Sequence, residues 1–545
     1  MSGRESGPAA IERPALANEP GDYWGSDAVA LMLRELDIPY VALNPGASYR
    51  GLHDSLVNLL GNRAPQMLLC LHEEHAVALA HGYAKVTGRP MGAIVHSNVG
   101  LMHATMAIFN AWCDRVPVIV LGATGPVDAA RRRPWIDWIH TARDQGALIR
   151  SYTKWDDQPA SVEAAAEALL RAHRIATTAP CGPVYVCLDV GLQESRIGAL
   201  PPLPKADRFR PPPPSWPDPA GAAAAAELLG AAERPLILMG RVARREAEWE
   251  RRVKLAEALG AVVLGDIKAG AGFPSRHPLH GPPAGSFPGA EACALLREAD
   301  VVLSLDWVDL AGALRTAWGA EPVASKVIVA SQDHLVHNGW SMDHQGLPPC
   351  DLHLAVDPDV AVAAVLPLLR ARPPGWPGRP QATAPERPAP AGGDTITPAA
   401  VATALQEAVA GRPTTLIRSP LAWAAGYWEA SHPLDILGGD GGGGIGGGPG
   451  MAVGAALALD GSGRLPVAVL GDGDFLMGVT ALWTAVHYRI PLLVVVSNNN
   501  SFFNDELHQD RMARQRGRPV ANRWIGQRIA AVSYTHLRAH ETGRN

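Results

Sequence analysis

The stretch LPVAVLGDGDFLMGVTALWTAVHYRIPLLVVVSNNNSFFN, residues 465–504, decides the fold. Residues 465–470 are an apolar run that reads as a buried strand, and Gly471-Asp472-Gly473 ends it. A helical pattern follows through Met477, Leu482, Trp483 and Val486, and residues 491–496 make a second apolar run. Strand, helix and strand in this length form one βαβ unit, with two parallel strands whose carboxyl ends lie side by side. Asp472 follows the first strand and Asn498-Asn499 follows the second. A carboxylate and a side-chain amide therefore meet at the edge where open α/β sheets bind ligands. The glycines beside Asp472 let backbone N–H groups approach a phosphate, and oxygen ligands of this kind suit Mg²⁺.

Outward from this unit, the whole chain repeats the alternation of strand and helix. MLLCL, GAIVHS, VPVIVLG and GPVYVCL lie in the first third; RPLILMG, GAVVLGDI, ADVVLSLD and KVIVAS lie in the middle. The expected fold class is α/β, with three doubly wound parallel-sheet domains, the last one incomplete. The expected division is a disordered N-terminus (1–21), a first α/β domain (22–199) and a central α/β domain (220–369). A Pro/Gly-rich linker (370–393), a third domain (394–530) and a tail (531–545) follow. The proline-rich run 200–219 separates the first two domains. The tail AVSYTHLRAHETGRN breaks with the preceding text and reads as translated sequencing-adapter read-through, which would leave the third domain truncated.

The 545 residues are 47% hydrophobic and 19% charged, with a net charge of −5 and a pI near 6.4. That balance argues against nucleic acid as a partner. No apolar run reaches the ~18 residues of a membrane span, and the first twenty residues hold no signal core. Six scattered cysteines without metal-like pairing fit a reducing cytoplasm.

The spacing from Asp472 to Asn499, 27 positions with a glycine on each side of the aspartate, resembles the GDG…NN motif of thiamine-diphosphate enzymes. The branch is that of benzoylformate decarboxylase and acetolactate synthase. The resemblance implies thiamine diphosphate and Mg²⁺ as cofactors, the ion held by Asp472, Asn499 and the backbone carbonyl of Ser501. Gly471, Gly473 and Asp474 would lie against the diphosphate, although relatives usually carry a small hydroxyl residue where Asp474 stands. In GGDGGGGIGGGPG, Gly443, Gly444 and Ile445 match the segment whose bulky apolar side chain props the bent cofactor.

In the first domain the order HE, then GYA, then HSNVG is similar to the family's pyrimidine-binding domain. It makes this domain the pyrimidine-binding one and the third the diphosphate-binding one. It puts the cofactor-activating glutamate at Glu73, with Glu74 as the fallback. A buried glutamate keeps a proton available to the aminopyrimidine ring. Without the resemblance, a carboxylate at a helix start is ordinarily a cap.

The turn Asn44-Pro45-Gly46-Ala47-Ser48 matches another cofactor-side segment, with Ala47 at the family's serine position and Ser48 one step on. His96 aligns with a histidine that benzoylformate decarboxylase keeps in its active site. A histidine at a strand end is as often structural as it is a proton shuttle. His103, Asn110, Trp135, Trp138 and His140 are further candidates for the same pocket, the tryptophans also for packing.

The function implied is turnover of a small-molecule 2-oxo acid. It is decarboxylated through an enamine intermediate to an aldehyde, or ligated to a second carbonyl. A homodimer or homotetramer is implied too. No dinucleotide fingerprint follows LILM, where Gly240 is succeeded by Arg241, and this counts against FAD in the central domain. The same absence disfavours a plain NAD dehydrogenase. A non-catalytic thiamine-diphosphate-binding relative, or an inactive truncated fragment, is the alternative reading.

Overall fold

In the computed structural model, residues 11–15, 21–266, 268–282, 288–336, 346–370, 376, 396–439 and 441–529 are described. Most of the expected linker at 370–393, most of the N-terminal segment and the expected tail at 531–545 lie outside these residues. The apolar runs become strands of three parallel sheets. The first sheet holds β1 (Tyr40–Leu43), β2 (Gln66–Leu69), β3 (Met91–Ile94), β4 (Val118–Thr124), β5 (Trp155–Asp157) and β6 (Val184–Asp189). Their order is β2-β1-β3-β4-β6-β5, and every pairing is parallel. All seven residues of β4 are buried, as expected for a strand covered by helices on both faces.

The central sheet holds β7 (Pro235–Met239), β8 (Val262–Gly265), β9 (Val301–Leu305), β10 (Lys326–Ala330) and β11 (Leu352–Leu354), ordered β8-β7-β9-β10-β11. Its chain order reverses at β7, so the ligand crevice of such a sheet opens between the carboxyl ends of β7 and β9. Arg241, just past β7, lies across that point. Its guanidinium pairs with Asp306 at 2.8 Å and Asp333 at 3.1 Å, and donates to the Cys113 carbonyl of the first domain.

The third sheet consists, among the described residues, of β12 (Thr414–Arg418), β13 (Leu465–Gly471) and β14 (Leu493–Ser497), in that order and all parallel. Gly471 stands beside Ser497 in the β13–β14 register, so Asp472 and Asn498 leave the sheet from adjacent strand ends.

Five helices position the site: α1 (Glu73–Thr87), α2 (Ser97–Cys113), α3 (Gly448–Ala458), α4 (Asp472–Gly478) and α5 (Ala481–His487). The single helix read from Met477 to Val486 is thus two. Helix α4 begins at Asp472 itself, and the chain breaks at Val479-Thr480. The break falls at a tightly packed place. A side chain at Gly478 would strike the Gly446 carbonyl and the Pro449 ring, and the Thr480 hydroxyl bonds His75 Nε2 at 2.9 Å.

Helices α1 and α3 cross closely enough that a Cβ at Gly82 would collide with the Met451 carbonyl. A Cβ at Gly454 would collide with the Leu79 carbonyl. One apolar core therefore runs from residues 76–80 of the first domain into residues 451–457 of the third. Among the described residues no helix is long and apolar enough to cross a membrane.

Candidate active site

Asp472 is buried at the start of α4, one residue past β13. Its Oδ1 accepts the Gly473 N–H at 3.0 Å and its Oδ2 accepts the Ser501 N–H at 3.2 Å. The Asn499 side-chain oxygen accepts from the same Ser501 nitrogen at 3.0 Å. The carboxylate of one strand end and the amide of the next therefore converge on one backbone group. Buried Ser501 is held through its hydroxyl by Glu506 at 2.5 Å. Every candidate ligand here is an oxygen, the donor set a hard divalent cation takes. Glycine is required at 473, because a Cβ there would run into the Phe502 ring. At Gly471 the same test meets open space. The residues present fit Mg²⁺ and a diphosphate.

Asp474 turns away from that group. Its Oδ1 accepts from the N–H groups of Gly446 at 2.7 Å and Gly448 at 3.4 Å, and Arg418 faces Oδ2 at 3.3 Å. The sequence reading did not single out Arg418, a cation at the end of β12 whose register partner on β13 is Ala468. The glycine tract is seated at both ends. Gly446 and Gly448 meet Asp474, while the Gly442 N–H donates to Asn110 of α2 at 3.1 Å and Gly444 lies against Met106. Ile445 stands between these two anchors, with its side chain partly exposed. Gly443 has φ +65°, a left-handed backbone that glycine adopts without strain.

The second cluster belongs to the first domain. His72 caps α1 by accepting the Glu74 N–H at 3.2 Å. Glu73, the next residue, is buried, while Glu74 is half-buried. Glu73 Oε2 lies 3.0 Å from His103 Nδ1 on α2. His103, Met106 and Asn110 share one face of α2 by helical spacing. That face leads from Glu73 to the glycine tract of the same chain, about 10 Å along the helix axis at 1.5 Å per residue.

The turn at 44–48 closes the other side. Asn44 Nδ2 donates to the Cys70 carbonyl at 3.0 Å, and its own carbonyl accepts from the Tyr49 hydroxyl. Gly46 lies against the His96 ring with no room for a Cβ, and Pro45 is exposed beside it. The Ser48 hydroxyl is 2.9 Å from His96 Nδ1, so the serine one step past the expected position does reach this histidine. Burial pulls the His96 pKa below the ordinary histidine value; His140 adds to this and Glu73 opposes it. His140 meets His96 edge to face, with ring centroids 4.9 Å apart. Trp135 and Trp138 are 69% and 83% exposed, so they are not packed in a core. Trp138 lies in a four-residue helix, Ile136–Ile139, which Trp135 precedes, and Asn98 donates to its Ile139 carbonyl.

Two oxygen ligands at the joined ends of parallel strands, and a buried glutamate on a neighbouring domain, describe a cofactor enzyme of α/β build. The comparisons with known proteins agree. The chain matches the family models of the thiamine pyrophosphate enzymes in all three parts. These are the N-terminal TPP binding domain over residues 23–148, the central domain over 222–328 and the C-terminal TPP binding domain over 419–531. The chain belongs to the thiamine pyrophosphate enzyme family.

It is 25% identical over 444 residues to benzoylformate decarboxylase of Pseudomonas aeruginosa, covering 80% of this chain and 79% of that protein. It is also 25% identical over 502 residues to acetolactate synthase of Bacillus subtilis, covering 88% and 82%. The crystal structure of benzoylformate decarboxylase from Polynucleobacter necessarius shares the fold. The TM-score is 0.77 at 22% identity, over 95% of this chain and 92% of that one.

Proposed function

We propose that this chain is a thiamine-diphosphate- and Mg²⁺-dependent enzyme acting on a 2-oxo acid. It would decarboxylate the acid to an aldehyde or join the remaining carbon unit to a second carbonyl. The observation that carries this reading is the convergence of Asp472 and Asn499 oxygens on the Ser501 backbone. Asp472, Asn499 and the Ser501 carbonyl would hold the ion, and the backbone at Gly471 and Gly473 would face the diphosphate.

When bound, the cofactor supplies a carbanion for attack on the keto carbon and a ring that stores the electron pair left behind when CO₂ departs. The chain's own residues do the rest. Glu73, buried on α1, would hold a proton at the ring nitrogen facing it. His96, held by Ser48, would deliver or take a proton at the substrate carbon and oxygen. Asn44, Pro45 and Gly46 would wall the reacting end, while Gly443, Gly444 and Ile445 would support the cofactor from the third domain.

FAD has no part in this reading, because no dinucleotide fingerprint follows β7, where Gly240 is succeeded by Arg241. The family likeness supports a homodimer or homotetramer working in the cytoplasm. Calorimetry with thiamine diphosphate and Mg²⁺ tests the core of the proposal. Wild type should bind both, and Asp472→Ala should weaken metal-dependent binding by more than ~100-fold. Equal binding by the two proteins would refute it. A screen of 2-oxo acids for CO₂ release then names the substrate.

A further inference from the structure

The carboxyl of Glu73 is enclosed, yet a group that must gain and lose a proton needs a route to water. The nearest polar side chain supplies one. His103 Nδ1 lies 3.0 Å from Glu73 Oε2, and the two side chains are 49% and 8% exposed, respectively. One end of the imidazole thus meets the buried acid while the ring itself reaches solvent.

The other groups around Glu73 are engaged elsewhere. His72 stacks on His103, with centroids 4.8 Å apart and planes at 22°, while its Nδ1 accepts the Glu74 N–H. The Tyr49 hydroxyl donates to the Asn44 carbonyl, and His96 Nδ1 faces the Ser48 hydroxyl. Gly100, in the first turns of α2, brings bare backbone against the Glu73 side chain, where a Cβ would come to 3.0 Å. No bulk separates α2 from the acid at that point.

Toward an ionised carboxylate, which only accepts hydrogen bonds, His103 would carry its hydrogen on Nδ1 and keep the Nε2 lone pair free. Ligand-type atoms of His72, Glu73 and His103 do lie within 4.8 Å of one another. In that tautomer, with His72 Nδ1 accepting the Glu74 N–H, their lone pairs would not converge on a common metal.

We propose that His103 is a positioning residue for Glu73, fixing its carboxyl and carrying protons between it and solvent. A proton from water bonds to Nε2, the Nδ1–H bond breaks, and that proton forms the O–H bond of Glu73. The ring is neutral before and after, in its other tautomer, and the reverse sequence discharges the acid. The proposal rests on Glu73 serving the cofactor as described under the proposed function.

The test uses the full chain with thiamine diphosphate and Mg²⁺, following exchange of the cofactor C2 hydrogen for deuterium by NMR between about pH 6 and 8. His103→Gln should bind cofactor as wild type does but exchange at least ~10-fold more slowly. His103→Ala should recover in proportion to added imidazole, which a merely structural loss would not do. Without cofactor, ¹⁵N shifts of His103 should show the Nδ1–H tautomer, moving toward Nε2–H in Glu73→Ala. An Nε2–H tautomer in wild type overturns the proposal, and so does wild-type exchange in His103→Gln. If Glu73→Gln slows exchange while His103→Gln does not, this proposal alone falls. If Glu73→Gln also exchanges normally, the assignment of Glu73 falls and the relay falls with it.

Discussion

The carboxylate of Asp474 accepts a hydrogen bond from the Gly446 backbone N–H at 2.7 Å, joining the first turn of α4 to the end of the glycine tract. Both residues are buried, and Arg418 offsets the charge from the end of β12. Asp474→Asn keeps an acceptor and loses the ion pair, so it should cost about 1–3 kcal/mol in denaturant unfolding. Asp474→Ala removes both and should cost about 3–5 kcal/mol, because the Arg418 charge then loses its carboxylate in a buried place. Combining Asp474→Asn with Arg418→Met should recover part of the loss. Strict additivity of the two changes would contradict the pairing.

His96 and Ser48 give a pH prediction. Burial lowers the pKa of His96, so its neutral form prevails further into acid than that of an exposed histidine. The limb of the kcat/KM profile due to His96 should therefore fall below about pH 6.5 and disappear in His96→Ala. That variant should also lose about 10²–10⁴-fold in turnover. Ser48→Ala leaves the imidazole in place without its 2.9 Å partner and should have a smaller effect on rate. An unchanged profile in His96→Ala would remove His96 from the proton chemistry.

The sheets were legible because a parallel strand covered on both faces is written as an unbroken apolar run, as in Val118–Thr124. Asp472 and Asn499 were legible for a related reason: strand ends fix where loop residues emerge, whatever the loop does next. The contact of Glu73 with His103 was not. Thirty positions separate the two residues, and their meeting depends on the angle at which α2 crosses α1. The split between α4 and α5 escaped because Gly478 and Thr480 answer to Pro449 and His75, partners remote in sequence. The direction of the Asp474 side chain was equally hidden, since nothing local says which backbone N–H it will accept. The exposure of Trp135 and Trp138 runs against their hydrophobicity, and nothing in the structure explains it.

Acid should loosen the junction between the first and third domains at His75. This residue is 4% exposed, its Nε2 bonds Thr480, and its Nδ1 has no partner among the described residues. Burial, with His72 nearby, lowers its pKa to about 4. A histidine depressed in the folded state contributes stability above its unfolded pKa, and that contribution is lost as pH falls through the folded value. Between about pH 6.5 and 4, wild type should lose about 2–3 kcal/mol relative to His75→Gln, which cannot titrate. Parallel stability curves for the two proteins would show that His75 is not responsible.

The crossing of α1 and α3 yields the sharpest contrast between two identical substitutions. At Gly454 an added methyl meets the Leu79 carbonyl, a backbone atom in a helix core that cannot swing aside. Gly454→Ala must then push the helices apart along the shared core, and it should cost more than about 3 kcal/mol. It should also separate Glu73 from the glycine tract, so cofactor binding should weaken along with stability. At Gly230, near the end of the helix Pro219–Ala231, the same methyl meets nothing within 4 Å. There Gly→Ala should stabilise by about 0.4–1 kcal/mol, because it only restricts the unfolded chain. Urea unfolding of both variants beside wild type decides the matter. A mild effect at Gly454 would mean that the two helices are not held at the distance the structure gives them.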